Sequence, residues 1–259
     1  MYVLFKKVYN VKCYKGIYCL MYMWKVLFLS LMCNAVKIRL CEIKPEIKPI
    51  RFKPIGENQI NYCNLLADKE VSILAGIGPA GCGKTAFACH AAVKALSMGE
   101  VDRVVLTRPL VSVDEELGFL PGSIEQKMDP WIRPTMDIMR EFYTSNEIRR
   151  FIEDGTIEIS PLAYMRGRTF RRAFLIADEM QNSSPNQMLM MLTRVGESSR
   201  LIITGDLLQS DRMEANGLAD FYNRAKKCND TTIQYVNFGI DDVQRSPVVA
   251  SILRLYETK

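Results

Sequence analysis

The sequence predicts an α/β fold in which a parallel sheet is covered by helices on both faces. Three observations predict it. Short apolar runs of strand length recur along the chain, stretches of helical length separate them, and each run is continuously apolar rather than alternating. Strands buried on both faces must be apolar throughout, and parallel strands need helical crossovers. The chain's 259 residues suit one large domain, or a domain with an appendage.

The first segment, residues 1–41, is rich in Tyr, Met, Cys and Phe and is read as a basic apolar extension. Residues 17–36 are apolar enough to suggest a signal or anchor, but Lys25 sits in their middle. A central lysine costs about 2.5–3.5 kcal/mol on membrane insertion. The expectation is therefore a tail or an upstream extension, with Met21, Met23 or Met32 as alternative starts and no stable membrane association. Residues 42–55, EIKPEIKPIRFKPI, place three prolines in a charged run that cannot continue a helix and reads as a linker. The core domain is expected over 56–259.

Within the core, residues 71–77 form the first predicted strand, followed by a glycine loop and a helix from 84 to about 98. Residues 103–107 are the second strand. A loop containing GFLPG follows, then a helical stretch over 124–143 interrupted by Pro130 and Pro134. Further strands are predicted at 156–160, 173–177, 201–204 and 231–236, with helices at 187–195, 218–227 and 247–256.

The decisive string is Gly78-Pro79-Ala80-Gly81-Cys82-Gly83-Lys84-Thr85, a GxxxxGK[ST] loop between a strand and a helix. Glycines let backbone N–H groups turn inward around phosphate oxygens, and the helix N-terminus adds favourable partial charge. Lys84 is expected to reach the β- and γ-phosphates and Thr85 to ligate Mg²⁺. The strand at 173–177 ends in Asp178-Glu179. Asp178 there can hold the magnesium shell, while Glu179 can accept a proton from an attacking water. Paired acids at a strand end suit hydrolysis better than transfer to an acceptor. A third strand ends in Thr204-Gly205-Asp206, followed by Gln209. Asp206 and Gln209 are candidates to sense the γ-phosphate or orient water, and Gln181 is a second candidate for that work.

The string Arg166-Gly-Arg168-Thr-Phe-Arg171-Arg172 concentrates four arginines, with no acid between Glu158 and Asp178. With Tyr164 and Phe170 alongside, it has the guanidinium groups and rings that a single strand of nucleic acid needs. Arg108 could add a phosphate contact. The bland alternative is a solvated basic loop or a subunit contact. Arg245, in DDVQRSPVV, caps a helix, pairs with Asp241 or Asp242, or projects at a γ-phosphate in its own or a neighbouring subunit. His90 among alanines reads as packing. Cys82 is assigned no catalytic role, although its thiol is expected to be accessible.

Composition narrows the alternatives. The eight cysteines are scattered without CxxC spacing and there is one histidine, which argues against a zinc site or disulfide framework and for a reducing, cytoplasmic setting. Lys6, Lys7, Lys12, Lys15 and Lys25 account for the whole net charge of +5, so the chain after residue 31 is neutral as a whole and any polyanion must meet a local patch.

The strings GIGPAGCGKTAFA, VLTRPLV, LGFLPG, PLAYMRGRT, LIADEMQN, TGDLLQSD and DVQRSPVV together resemble the PhoH-like ATPases, relatives of the superfamily 1 helicase core that are also common in bacteriophage genomes. The resemblance spans about Gly56 to Tyr256. It implies one RecA-like domain, ATP binding and hydrolysis, and a ring-shaped homo-oligomer. It also implies a position for Gln59 beside the adenine. Some members are linked to RNA unwinding or decay when fused to a PIN nuclease. Cys82 replaces the family's usual threonine, and Ala177-Asp178-Glu179-Met180 departs from its LDEAQN form while keeping both acids.

The expected function is an ATPase coupled to RNA or another single strand. A single RecA-like lobe would need neighbouring subunits for unwinding, which makes Arg245 or Arg108 trans-acting candidates. A P-loop kinase, and a nucleotide-gated module that only orders an oligomer, are the alternatives.

Overall fold

The computed structural model describes residues 53–109, 133–210 and 216–244, together with Val248. The 1–41 extension, most of the 42–55 linker, the GFLPG loop, the start of the 124–143 helix, Arg245 and the terminal helix apart from Val248 lie outside the described residues.

The described chain runs α1 (Glu57–Ala67), β1 (Ile73–Ile77), α2 (Lys84–Ser97), β2 (Arg103–Thr107), a helical turn at 133–139, α3 (Ser145–Glu153), β3 (Ile157–Ile159), β4 (Ala173–Ala177), α4 (Pro185–Leu192), β5 (Arg200–Gly205), α5 (Gly217–Ala225) and β6 (Ile233–Asn237). The six strands form one sheet in the order β3-β2-β4-β5-β1-β6. Every pairing is parallel. This is the predicted α/β class in a RecA-like arrangement, with β5 inserted between β1, which feeds the glycine loop, and β4, which ends in the paired acids.

Alternate residues of each strand feed two cores. Leu74, Val104, Leu106, Phe174, Ile176 and Ile202 face α1, α2 and α3. Ala75, Ile77, Val105, Leu175, Ala177, Leu201 and Ile203 face α4 and α5. All five residues of β4 are buried, which is why AFLIA shows no alternation. Burying a Leu- or Phe-sized side chain contributes roughly 1.5–3 kcal/mol, so these two layers hold the sheet.

Caps set the helix starts. The Thr144 hydroxyl accepts from Glu147 N–H (3.3 Å) and the Glu147 carboxylate accepts from Thr144 N–H (2.7 Å), a reciprocal T-x-x-E box that begins α3. Ser184 and Gln187 repeat it at α4, where Pro185 takes the first helical position. Neither α1 nor α3 is anticipated from the sequence. The Arg200 guanidinium donates to the carbonyls of Val71, Leu66 and Leu65, tying the end of α1 to the start of β5. No helix among the described residues is long and apolar enough to cross a membrane.

Because all strands run the same way, their carboxyl ends lie along one edge. Ile77 pairs with Gly205 and Asn237, and Thr107 with Ala177. That register brings the glycine loop, Asp178 and Asp206 together.

Candidate active site

The glycine loop leaves β1 through Gly78, whose φ of +148° favours glycine and where a Cβ would lie 2.5 Å from the Phe238 carbonyl oxygen. Gly83, at φ +87°, turns the chain into α2. The loop curls over Lys84, which is only 8% exposed. Its Nζ donates to the carbonyls of Gly78 (2.7 Å) and Pro79 (2.8 Å), so the ammonium sits at the mouth of the loop with no carboxylate partner among the described residues. A nearly buried cation balanced by carbonyl dipoles and the Cys82 sulfur (3.4 Å) is suited to receive an anion.

At the next residue, the Thr85 hydroxyl donates to Asp178 Oδ1 at 3.0 Å. The same oxygen accepts from the Thr204 hydroxyl. The start of α2, the end of β5 and the residue after β4 thus meet on one carboxylate. Glu179 follows in the left-handed conformation, φ 55° and ψ 40°, which costs a non-glycine residue about 1–2 kcal/mol and concentrates at functional sites. The cleft is lined by Ala80, Gly81, Gly83, Lys84, Thr85, Ala86, Asp178, Glu179, Gly205, Asp206 and Gln209. Of the residues singled out in the sequence, it gathers Lys84, Thr85, Asp178, Glu179, Asp206 and Gln209.

Several expected positions differ. The resemblance puts Gln59 beside the base, yet the side chain is 1% exposed and its amide is engaged inside the protein. Its Nε2 donates to the carbonyls of Cys82 (3.2 Å) and Asp242 (2.9 Å), and its Oε1 accepts from Ile55 N–H (2.9 Å) and Gln244 Nε2 (2.7 Å). Gln244 N–H in turn donates to the Gly81 carbonyl (3.0 Å), and Asn58 Nδ2 to Asp242 Oδ2 (2.9 Å). Gln59 therefore braces the glycine loop from beneath. Cys82, expected to be accessible, is fully buried with its Sγ 2.9 Å from the Pro79 carbonyl, because the loop turns this side chain under itself. Burial pushes its thiol up. His90 packs against Phe142 with ring centroids 5.5 Å apart, as its surroundings suggest.

The basic string is divided. Arg168 forms a two-pronged pair with Glu158 and covers Phe170, its guanidinium 4.5 Å from the ring centroid. Phe170 is 3% exposed and so cannot serve as the stacking ring expected of it. Arg172 donates to both oxygens of Asp102 (2.9 and 3.0 Å) and to the Gly99 carbonyl (2.9 Å), and holds the Asp102 carboxyl below the usual carboxylate range. Arg171 and Arg172 immediately precede β4, which places them at the amino edge of the sheet, away from the glycine loop. Arg166 and Arg171 are exposed and make no ion pair among the described residues, and Tyr164 remains exposed. Arg108, half-buried, follows β2 at the carboxyl edge.

The sequence reading missed Thr204 as a donor to Asp178, and Asn58, Asp242 and Gln244 as members of the brace. Nothing in sequence spacing marks partners more than 180 residues apart.

The profile described as PhoH-like protein matches residues 51–257. A PhoH-like protein of Bacillus subtilis (strain 168) is 42% identical over 212 residues, covering 81% of this chain and 65% of that protein. A PhoH-like protein of Synechocystis sp. is 46% identical over 210 residues, covering 80% and 62%. Protein PhoH of Escherichia coli (strain K12) is 39% identical over 205 residues, covering 78% and 57%. The matched region thus spans less than two thirds of each of these relatives. With a family match over four fifths of its length and relatives at this identity, the chain belongs to the PhoH-like protein family.

Proposed function

We propose that this chain binds ATP with Mg²⁺ in the Gly78–Thr85 loop and hydrolyses it, with turnover coupled to RNA or another single-stranded nucleic acid. The observation that carries the hydrolytic reading is the 3.0 Å approach of the Thr85 hydroxyl to Asp178 beside Lys84. A Mg²⁺ ion held octahedrally at about 2.0–2.1 Å has neighbouring ligand oxygens about 3 Å apart, so this pair fits one edge of its shell. No cluster of three or more acidic, His or Cys side chains capable of holding a metal occurs among the described residues. That suits an ion bound by one or two protein oxygens together with phosphates. When bound, the ion neutralises charge on the β- and γ-phosphates.

The protein groups divide the rest of the work. The loop amides and Lys84 bind and orient the phosphate chain. Glu179 takes the proton of the attacking water, and Asp206 and Gln209 line the wall where the terminal phosphate would lie. Support for a nucleic-acid partner comes from the exposed Arg166, Arg171 and Tyr164. A homo-oligomer, in which a neighbour supplies Arg108 or Arg245, completes the proposal, as does a cytoplasmic setting.

The test is phosphate release by wild type and Glu179→Gln, with and without single-stranded RNA, beside direct ATP binding. The expected result is RNA-stimulated turnover by wild type, and ATP binding without turnover by the variant. No free phosphate under any condition overturns the hydrolytic reading. Turnover indifferent to RNA and DNA overturns the coupling.

A further inference from the structure

Gln181 follows the paired acids by two positions and is 1% exposed, so it does not face water in the cleft. Both ends of its amide are engaged. The Nε2 donates to Glu179 Oε2, and the Oε1 accepts from the backbone N–H of Asp206 at 3.1 Å. Its own carbonyl accepts from the Ser210 hydroxyl (3.2 Å). A Cβ at Gly205 would lie 2.6 Å from Gln181 Oε1, so the glycine at the end of β5 makes room for this amide.

The geometry has two consequences. A carboxylate on a left-handed residue has two oxygens to place; tying Oε2 to an amide N–H leaves Oε1 as the oxygen free to meet a water. The same amide is also fixed to the loop that carries Asp206 and Gln209. Glu179 is therefore held in place only while that loop is seated.

We propose that Gln181 is a positioning residue: it orients the Glu179 carboxylate and makes its placement conditional on the Gly205–Ser210 loop. The inference rests on hydrolysis as the reaction and assigns Gln181 no contact with nucleotide or water. It differs from phosphate sensing, which would require Gln181 in the cleft.

The experiment measures single-turnover ATP hydrolysis and binding of a non-hydrolysable ATP analogue by the full chain. The set comprises wild type, Gln181→Met, Glu179→Gln and the double variant. Misplacing a catalytic group by about 1 Å can cost up to about 100-fold, so Gln181→Met should lower the rate about 10- to 100-fold. Analogue affinity should change by less than about twofold, because the group lost acts only on chemistry. In the Glu179→Gln background the same substitution should lower the residual rate by less than about twofold, since the residue through which it acts is already gone. Gln181→Asn keeps the amide but is one methylene too short to join Glu179 to the Asp206 N–H. It should show the same rate loss, and it carries the test if the methionine variant does not fold. An unchanged rate, equal losses in both backgrounds, or a parallel loss of analogue affinity overturns the inference. Absence of turnover by wild type overturns the hydrolytic reading itself, a result distinct from these.

Discussion

Replacing Gln59 by alanine distinguishes a residue that reads the base from one that braces the phosphate loop. Five hydrogen bonds end on its amide, from Ile55 N–H (2.9 Å), Gly56 N–H (3.5 Å) and Gln244 Nε2 (2.7 Å), and to the carbonyls of Cys82 (3.2 Å) and Asp242 (2.9 Å). At about 1 kcal/mol net each, loss of the four shorter ones is worth about 4 kcal/mol. The exposed Ile55 end rehydrates, which brings the expected destabilisation to roughly 2–3 kcal/mol, a large share of the 5–15 kcal/mol typical of a domain. If about half of that is felt in ordering the loop around phosphates, affinity falls about tenfold, at 1.4 kcal/mol per decade. Urea unfolding reads the first quantity; binding of ATP, GTP and inorganic triphosphate reads the second. A brace weakens all three ligands alike. Loss of an ATP-over-GTP preference, with stability and triphosphate binding unchanged, would refute the reasoning.

Thr204→Val keeps the shape of a fully buried residue but removes its donor to Asp178. The expected result is a stability loss of about 1–2 kcal/mol and a weaker Mg²⁺ dependence of ATP binding, read by Mg²⁺ titration. Burial raises the pKa of Tyr62, Cys82 and Cys89, and pushes Cys63 up to about 11. The fold keeps protons that the unfolded chain releases, so this stabilisation is complete below about pH 9 and is lost as pH rises toward 11. Urea midpoints should be flat from pH 7 to 8.5 and fall above 9; a midpoint that rises there contradicts the assignment. For RNA binding, Arg166→Ala and Arg171→Ala should each reduce affinity and lower the salt slope by about one, since each removes one phosphate contact. Arg172→Ala, whose guanidinium is already taken by Asp102, should leave both nearly unchanged.

The strands were legible because their burial leaves no choice of residue: RVVLT and AFLIA match β2 and β4 residue for residue. The glycine loop was legible because its chemistry fixes both spacing and context. Helix α1 was not, since ENQINYCNLLA has only three fully buried positions and its apolar stripe is weak. Helix α3 carried a readable capping signal in Thr144 and Glu147, but its short core-facing side, with Ile148 alone fully buried, gave little periodicity. The arginine string misled for a physical reason. Counting acids within the string cannot reveal that Glu158 and Asp102, on neighbouring strands or the turns before them, approach from the side. In sequence, resemblance places Gln59 beside the base, and Gln181 is a candidate to meet the γ-phosphate or water. Only the fold shows that both are buried and that each joins segments whose relative placement the chemistry requires.

The position of β5 explains why those amides matter. Strands β1 and β4 are two positions apart in the sheet, roughly 10 Å at 4.8 Å per step, so the loop lysine and the paired acids rise from separated strands. The gap gives a triphosphate room, but it also means that no backbone pairing fixes the loop against the acids. Side chains must do it: Thr204, from the intervening strand, reaches Asp178 on one side of the gap, and Thr85 reaches it from the other. Gln181 then links the acid turn to the end of β5, and Gln59 links the loop to the turn after β6. Each link is a single polar side chain, mostly buried and away from water, so its loss is not compensated locally. Turnover should accordingly be more sensitive to Thr85, Thr204 and Gln181 than global stability is. A variant of Thr204 or Gln181 that loses stability in full proportion to its loss of rate would mean that the sheet, not these contacts, holds the site together.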